Sequence, residues 1–264
     1  MRTFLIIICT VVLLFSVFQI AQYLLDAKHT EDLYADIAET YHKEGEDRRA
    51  ANPDGEDPSD GNRLEDIRKI NPDVVGWISI PGTGIDYPVV QGEDNDYYLH
   101  HDIRGQKNKH GAIFMDHSNH PGEDRNLVIY GHHMKDGTMF YDLKKFKKKD
   151  FYDKNKSILL NIQGKTVEYE IFSAYIGNAS SLHLKISFPD ASAYRDYFTE
   201  IKAKSMYPSD MDFSEDQTML TLSTCTYEEK DARLILHAFP KEKQVLQEAK
   251  KENPVNRFFI ACKT

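Results

Sequence analysis

The sequence predicts a mainly β protein: a closed eight-stranded barrel with helices at its N-terminal side and one helix inserted before the strand that bears Cys225. Three observations lead there. Eight short segments rich in aliphatic, β-branched and aromatic residues recur between turn signals, and stretches of helical period are few. Closure is also the arrangement that removes exposed edges from so many short strands.

Taken in order, residues 4–25 carry no charge and are apolar apart from scattered residues such as Thr10, Ser16, Gln19 and Gln22. About 20 such residues cross a bilayer core. Arg2 precedes the run and Asp26 follows it, which sets the N-terminus in the cytoplasm. The run outlasts the roughly 7 to 15 residues of a signal-peptide core and lacks a small-x-small cleavage site, so it reads as an uncleaved anchor. Residues 26–51 alternate charges with Leu33, Tyr34 and Ile37, as in an amphipathic helix. Residues 52–62 form a Pro, Gly and acidic linker, and residues 64–70 a short helix. Strands at 74–78 and 85–90 flank the turn Pro81-Gly82-Thr83-Gly84, and further strands follow at 111–115, 126–130, 157–162 and 166–176. Residues 190–206 place Tyr194, Tyr197, Phe198 and Ile201 on one helix face. Strands at 217–226 and 233–239 complete the eight, and a charged helical tail runs from Lys241 to near Pro254. The chain thus divides into an anchor with its cytoplasmic tip (1–25), an extracellular helical stalk and linker (26–62), a barrel domain (63–240) and a charged tail (241–264).

A net charge of −9 argues against nucleic acid as a partner, since its binders present basic surfaces. Lys144-Lys145-Phe146-Lys147-Lys148-Lys149 is the basic exception and reads as a solvated helix face. His100, His101, His110, His117 and His120 gather near Asp102 and Asp116, but none falls in a tight zinc motif. Loop histidines are expected there, with no metal and no organic cofactor; Trp77 and Tyr97-Tyr98 read as packing. The three cysteines, Cys9, Cys225 and Cys262, make no disulfide framework, and a lone mid-domain cysteine in an exported chain points to a reactive thiol. A bridge from Cys225 to Cys262 would block that chemistry.

The chemistry centres on Cys225. Between the last two strands lies a polar turn, residues 227–231, and a hairpin centred on Glu229 sets Cys225 directly opposite Arg233, on the same face. Leu220, Leu222, Leu234 and Leu236 take the other face, which is the core, so Cys225 and Arg233 look outward from it. A thiol becomes a nucleophile beside a base or positive charge. His132 is the base at hand: it follows the apolar strand 126–130 and Gly131, at a strand end where scaffolds display reactive side chains. Neighbours in an extended segment face opposite ways, so only one of His132 and His133 can face Cys225. Arg233 stays charged and suits hydrogen bonding to a carbonyl or oxyanion.

The motif Thr221-Leu222-Ser223-Thr224-Cys225, with Arg233 downstream and Tyr130-Gly131-His132 upstream, resembles the sortase family. Residues 126–134 and 135–140, with a long insert of helical character before the cysteine strand, resemble class B in particular. The likeness covers residues 64–239. It implies a sortase-type barrel in which Cys225 is the nucleophile, His132 the catalytic histidine and Arg233 the transition-state arginine, while Asn95, Leu99, Tyr130 and Ser223 line the substrate groove. It implies a membrane-anchored cysteine transpeptidase that cleaves an Asn-Pro-x-Thr-x signal after Thr through a thioester. Its partners would be surface proteins carrying that C-terminal signal and, as acceptor, a peptidoglycan amine, with a pilin amine as the alternative. The rival readings are an L,D-transpeptidase-like or papain-like cysteine hydrolase and a membrane-tethered binding module with an inert thiol. The first of these enzymes places its cysteine in a Ser-x-Gly-Cys context, and Ser223-Thr224-Cys225 lacks that glycine.

Overall fold

Eight strands close into a barrel in the computed structural model, which describes residues 1–51, 60–178, 184–225 and 232–241. They are β1 (Val74–Ser79), β2 (Asp86–Val90), β3 (Ile113–Met115), β4 (Asn126–Gly131), β5 (Ser157–Ile162), β6 (Lys165–Asn178), β7 (Met219–Cys225) and β8 (Ala232–Pro240). Around the barrel the order is β1-β2-β3-β4-β7-β8-β6-β5, so each strand has two neighbours and no edge is left open. Pairs β2/β3 and β4/β7 run parallel and the others antiparallel. The eight strands and their closure are those the sequence predicts.

Local chemistry sets several joints. The β5–β6 hairpin turns on Gln163 and Gly164, both at positive φ (51° and 75°), the backbone that a two-residue hairpin loop requires. Leu220, Leu222, Leu234 and Leu236 all point into the barrel core at 1% exposure or less, as the alternation predicts. The outward face is not simply wet. A helix, Ala191–Lys204, lies over it and buries Tyr194, Tyr197, Phe198 and Ile201 against Phe172, Met219, Ile235 and Phe239. Asp190 starts this helix by accepting the Ala193 amide at 2.8 Å, satisfying one of its unpaired N–H groups.

Among the described residues the α-helices are α1 (Arg2–Ala51), α2 (Asp60–Ile70), α3 (Tyr97–His100), α4 (Lys149–Lys154) and α5 (Ala191–Lys204); a 3-10 helix spans Phe140–Lys147. In α1 the apolar run and the amphipathic stretch are one continuous helix. Its first part exposes the apolar side chains of residues 4–25, whereas beyond Thr30 it buries Leu33, Tyr34, Ile37 and Tyr41 against the barrel. Tyr41 stacks on Trp77 with ring centroids 4.1 Å apart, and Trp77 donates its indole N–H to Asp86 at 2.7 Å, so the tryptophan is packing, as read. The lysine cluster is not one helix face: it is divided between the 3-10 helix and α4, with Phe146 fully buried between them. Most of the predicted linker, the turn after Cys225, and the tail with Cys262 lie outside the described residues.

Candidate active site

Two strand pairings bring the chemistry together. In the parallel pair β4/β7, Tyr130 lies opposite Ser223 and Gly131 opposite Thr224; His132 and Cys225 come next on each chain. Neighbouring strands run about 4.8 Å apart, so the two residues leave the sheet side by side. In the antiparallel pair β7/β8, Cys225 is opposite Arg233, the register read from the sequence. The Cys225 side chain itself lies outside the described part of the structure.

Gly131 allows this crowding. A Cβ there would sit 2.5 Å from Ile113 Cδ1 and 2.9 Å from Phe140 Cγ. Any larger residue would push the strand end, and with it His132, away from β3 and the 3-10 helix.

A cavity of about 220 Å³ opens at this point, lined by Asn95, Leu99, Tyr130, His132, Ser223 and Arg233, together with Phe114, Gly131 and Thr224. Six of the seven predicted site residues therefore share one cavity, and the seventh, Cys225, follows Thr224 and pairs with Arg233, both of which line it. Sequence reasoning missed Phe114 and Thr224, whose apolar or small character on strands signals only packing.

His132 donates from Nε2 to the Leu99 carbonyl at 2.8 Å. In the neutral ring this leaves Nδ1 with the free lone pair. Burial pulls the imidazole below its ordinary value; the Leu99 bond opposes this, while the nearby His100, Arg233 and His110 side chains add to it. Burial also lowers the Arg233 guanidinium, with Tyr130 opposing, and the group remains charged at neutral pH. His133, by contrast, pairs with Met139 across the following turn and packs its ring 4.9 Å from Tyr141. The alternation argument thus selects His132.

A buried carboxylate organises the other wall. Asp116 is 7% exposed, and its Oδ2 accepts from Asn95 Nδ2 at 2.9 Å and from the Tyr130 hydroxyl at 3.0 Å. Its Oδ1 accepts the Ser118 amide at 2.9 Å. Asn95 Oδ1 in turn accepts the His117 amide at 2.9 Å, which sets the amide orientation of a cavity-lining residue. Burial, with the Asp116 charge, pushes the Tyr130 hydroxyl upward, so it stays a neutral donor. Asp116 was no predicted site residue: an aspartate just after a strand looks like an ordinary turn residue.

His110 and His101 have other partners. His110 is fully buried and bonds Asp136 through Nε2 at 2.6 Å and Asn108 through Nδ1 at 2.9 Å, while His101 stacks on Tyr97 at 4.1 Å. No group of three or more His, Cys, Asp or Glu side chains among the described residues is arranged to hold a metal ion.

A barrel with this topology and this trio at one strand end finds its counterpart among known proteins: a family model described as the sortase domain matches residues 78–241. The chain belongs to the sortase family. It is 38% identical to sortase B of Listeria monocytogenes over 218 residues, 82% of this chain and 86% of that protein, and 35% identical to sortase B of Staphylococcus aureus over 179 residues, 67% and 73% of the two chains. Among solved structures, Clostridium perfringens sortase B is 40% identical with a TM-score of 0.66, covering 68% of this chain and all of that one. A Staphylococcus aureus sortase B–substrate complex is 30% identical with a TM-score of 0.73, covering 82% and 98%. The protein is accordingly a class B sortase-like cysteine transpeptidase with a closed barrel, as its motifs suggested, and the family acts on surface proteins in the cell envelope.

Proposed function

We propose that this sortase cleaves an Asn-Pro-x-Thr-x sorting signal after the threonine and joins the new carboxyl end to a peptidoglycan amine. The observation that carries the reading is the register that sets Gly131-His132 beside Thr224-Cys225 and Cys225 opposite Arg233 at the mouth of one cavity.

In the first half-reaction the Cys225 sulfur forms a bond to the threonine carbonyl carbon. The C–O π pair moves onto oxygen, where Arg233 donates hydrogen bonds to the oxyanion. Collapse expels the leaving amine, which takes a proton from His132, and a thioester remains. In the second, the acceptor amine attacks the thioester, His132 takes back a proton, and the thiolate departs. His132 Nδ1 is the nitrogen that exchanges this proton, because Nε2 is committed to Leu99. With ordinary values of about 8.5 and 6.5, only roughly 1% of free Cys/His pairs hold thiolate and imidazolium together. Burial at His132 lowers that share, and the charge of Arg233 opposite Cys225 favours the thiolate.

Asn95, Leu99, Tyr130 and Ser223 are the residues we assign to the groove for the signal. The helix α1 is the anchor: among the described residues it alone is long and apolar enough to cross a bilayer. Its charge-free stretch, residues 4–25, spans about 33 Å at 1.5 Å per residue, matching a hydrocarbon core of about 30 Å. We assign the barrel to the outer surface of the membrane.

The test uses the full chain in detergent with an Asn-Pro-x-Thr-x peptide and a soluble amine, followed by mass spectrometry. The expected result is an acyl adduct on Cys225 that the amine discharges as a transpeptidation product, with neither species formed by Cys225→Ala. Hydrolysis without transfer favours a cysteine hydrolase, and absence of any adduct favours the binding module.

A further inference from the structure

We propose that the loop of residues 101–111, together with Lys28 of α1, is a docking surface for anionic phospholipid headgroups, and that it holds the His132 end of the barrel against the bilayer. The proposal rests on α1 being the anchor. Its starting point is that α1 has no break between its apolar part and the part that packs on the barrel. A continuous helix transmits position, so the residues touching its first extracellular turns must lie at membrane level.

Among the described residues, the side-chain contacts to these turns from outside the helix come from one loop. Lys109 Nζ bonds Asp26 at 3.0 Å and sits 4.4 Å from the centre of the Tyr23 ring, beside the last turn of the apolar run. Asn108 donates to the Thr30 hydroxyl at 3.0 Å, and Thr30 also meets His110 Nδ1 at 3.4 Å. Thr30 lies five residues beyond Leu25, about 7.5 Å along the axis. The polar headgroup layer is itself about 5 to 7.5 Å deep on each side. The loop therefore starts within that layer.

The same loop leads to the reaction site. His110 bonds Asp136 in the segment after His132, and Leu99, just before the loop, accepts the His132 Nε2 hydrogen bond. The far end of the barrel is remote from it. His42 bonds Asp86 at the other end of the packed part of α1, twelve residues and about 18 Å beyond Thr30.

Charge decides what the loop meets. In a chain of net charge −9, this stretch presents exposed Arg104, Lys107 and Lys109, with Lys28 on the adjoining helix. Lys109 pairs with Asp26 and Lys28 with Asp32, Glu31 is exposed on the same stretch of α1, and Asp102 is buried and accepts the Arg104 and Gln106 amides of the loop itself, so the basic excess rests on Arg104 and Lys107. Arg104 and Lys107 form no ion pair among the described residues. A basic residue at an anionic membrane surface contributes roughly 1 kcal/mol, a factor of about five.

The experiment reconstitutes the full chain in vesicles of phosphatidylcholine, with or without a large share of phosphatidylglycerol, and follows acylation of individual lysines by mass spectrometry. Lys28, Lys107 and Lys109 should react about fivefold more slowly in the anionic vesicles. Lys43, fifteen residues along α1 from Lys28 and well over a Debye length of about 8 Å away, should react equally in both. Arg104→Glu with Lys107→Glu should weaken the protection of Lys28 and Lys109 while leaving the thermal melt in place. Equal rates in both vesicles, or slowing of Lys43 to the same degree, overturn the docking surface. The same slowing in phosphatidylcholine vesicles on adding a soluble glycerol-phosphate polymer also overturns it, by assigning the patch to a polyanion rather than a bilayer. Vesicle flotation reports the anchor separately. A chain that fails to float overturns both readings, whereas a floating chain with lipid-indifferent lysines overturns the docking surface alone.

Discussion

The outward faces of β7 and β8 meet two different surroundings along their length. Towards one end, Thr221 and His237 lie beneath α5 in a closed network: His237 Nδ1 donates to Thr221 Oγ1 at 2.8 Å, Thr221 donates to Asn126 at 2.7 Å, and the Tyr175 hydroxyl meets His237 Nε2 at 3.2 Å. Two residues further along β7 Ser223 faces the cavity, and four residues along β8 from His237 Arg233 is only half buried. Both stretches have polar groups at outward positions, yet one is dry and the other is reachable. Burial drives the His237 imidazole down to about 3, whereas His132 is lowered but keeps an edge on the cavity. Strand alternation sorts inside from outside; the helix laid over the outside decides which imidazole can exchange a proton.

Arg233→Ala should have the largest effect and test the open end. Losing an oxyanion donor lowers kcat by about 10² to 10³ with little change in the melt, measured on peptide transfer. A loss confined to KM would remove Arg233 from the transition state. Next comes the interior shared by both ends. Leu222→Ala leaves a hole in the barrel core and should cost about 2 to 5 kcal/mol in urea unfolding, and a neutral result would mean that the core repacks around it.

The closed end should show in the pH dependence of stability. Because the folded value of His237 lies below its ordinary 6.5, the unfolded chain binds a proton that the folded chain does not once the pH drops under about 6.5. Stability present above that point is lost as the pH falls towards the folded value. His237→Gln should remove this term, flattening the fall by roughly 1.4 kcal/mol per pH unit between about pH 6 and pH 4. Parallel curves for the two proteins would place the acid sensitivity elsewhere. The smallest effect is expected from Tyr130→Phe. It deletes one of the hydrogen bonds to Asp116 while Asn95 and the Ser118 amide keep theirs, costing about 1 kcal/mol. Peptide KM should rise several-fold with kcat nearly unchanged; a fall in kcat alone would give the hydroxyl a part in the chemistry.

Much of this was legible from residues close in the chain. The apolar run, the β7–β8 register with Cys225 opposite Arg233, and the buried face of α5 all follow from local period, because the partners are separated by one turn or lie on one helix. The role of Asp116 was not legible, since its partners Asn95 and Tyr130 come from different segments and meet only in the fold. Nor was the continuity of α1 with its barrel contacts: amphipathic period shows that a face will be buried, not against what.

By itself the sequence determined the strands, the register that pairs Cys225 with Arg233, and the family. Only the tertiary structure decided that β4 lies parallel to β7, which brings His132 beside Cys225, and that α5 seals one stretch of the same sheet face while leaving the other open. The physical reason is range. Side-chain period is a property of a few consecutive residues, whereas strand neighbours and covering helices are selected by how the whole barrel closes and buries its apolar surface.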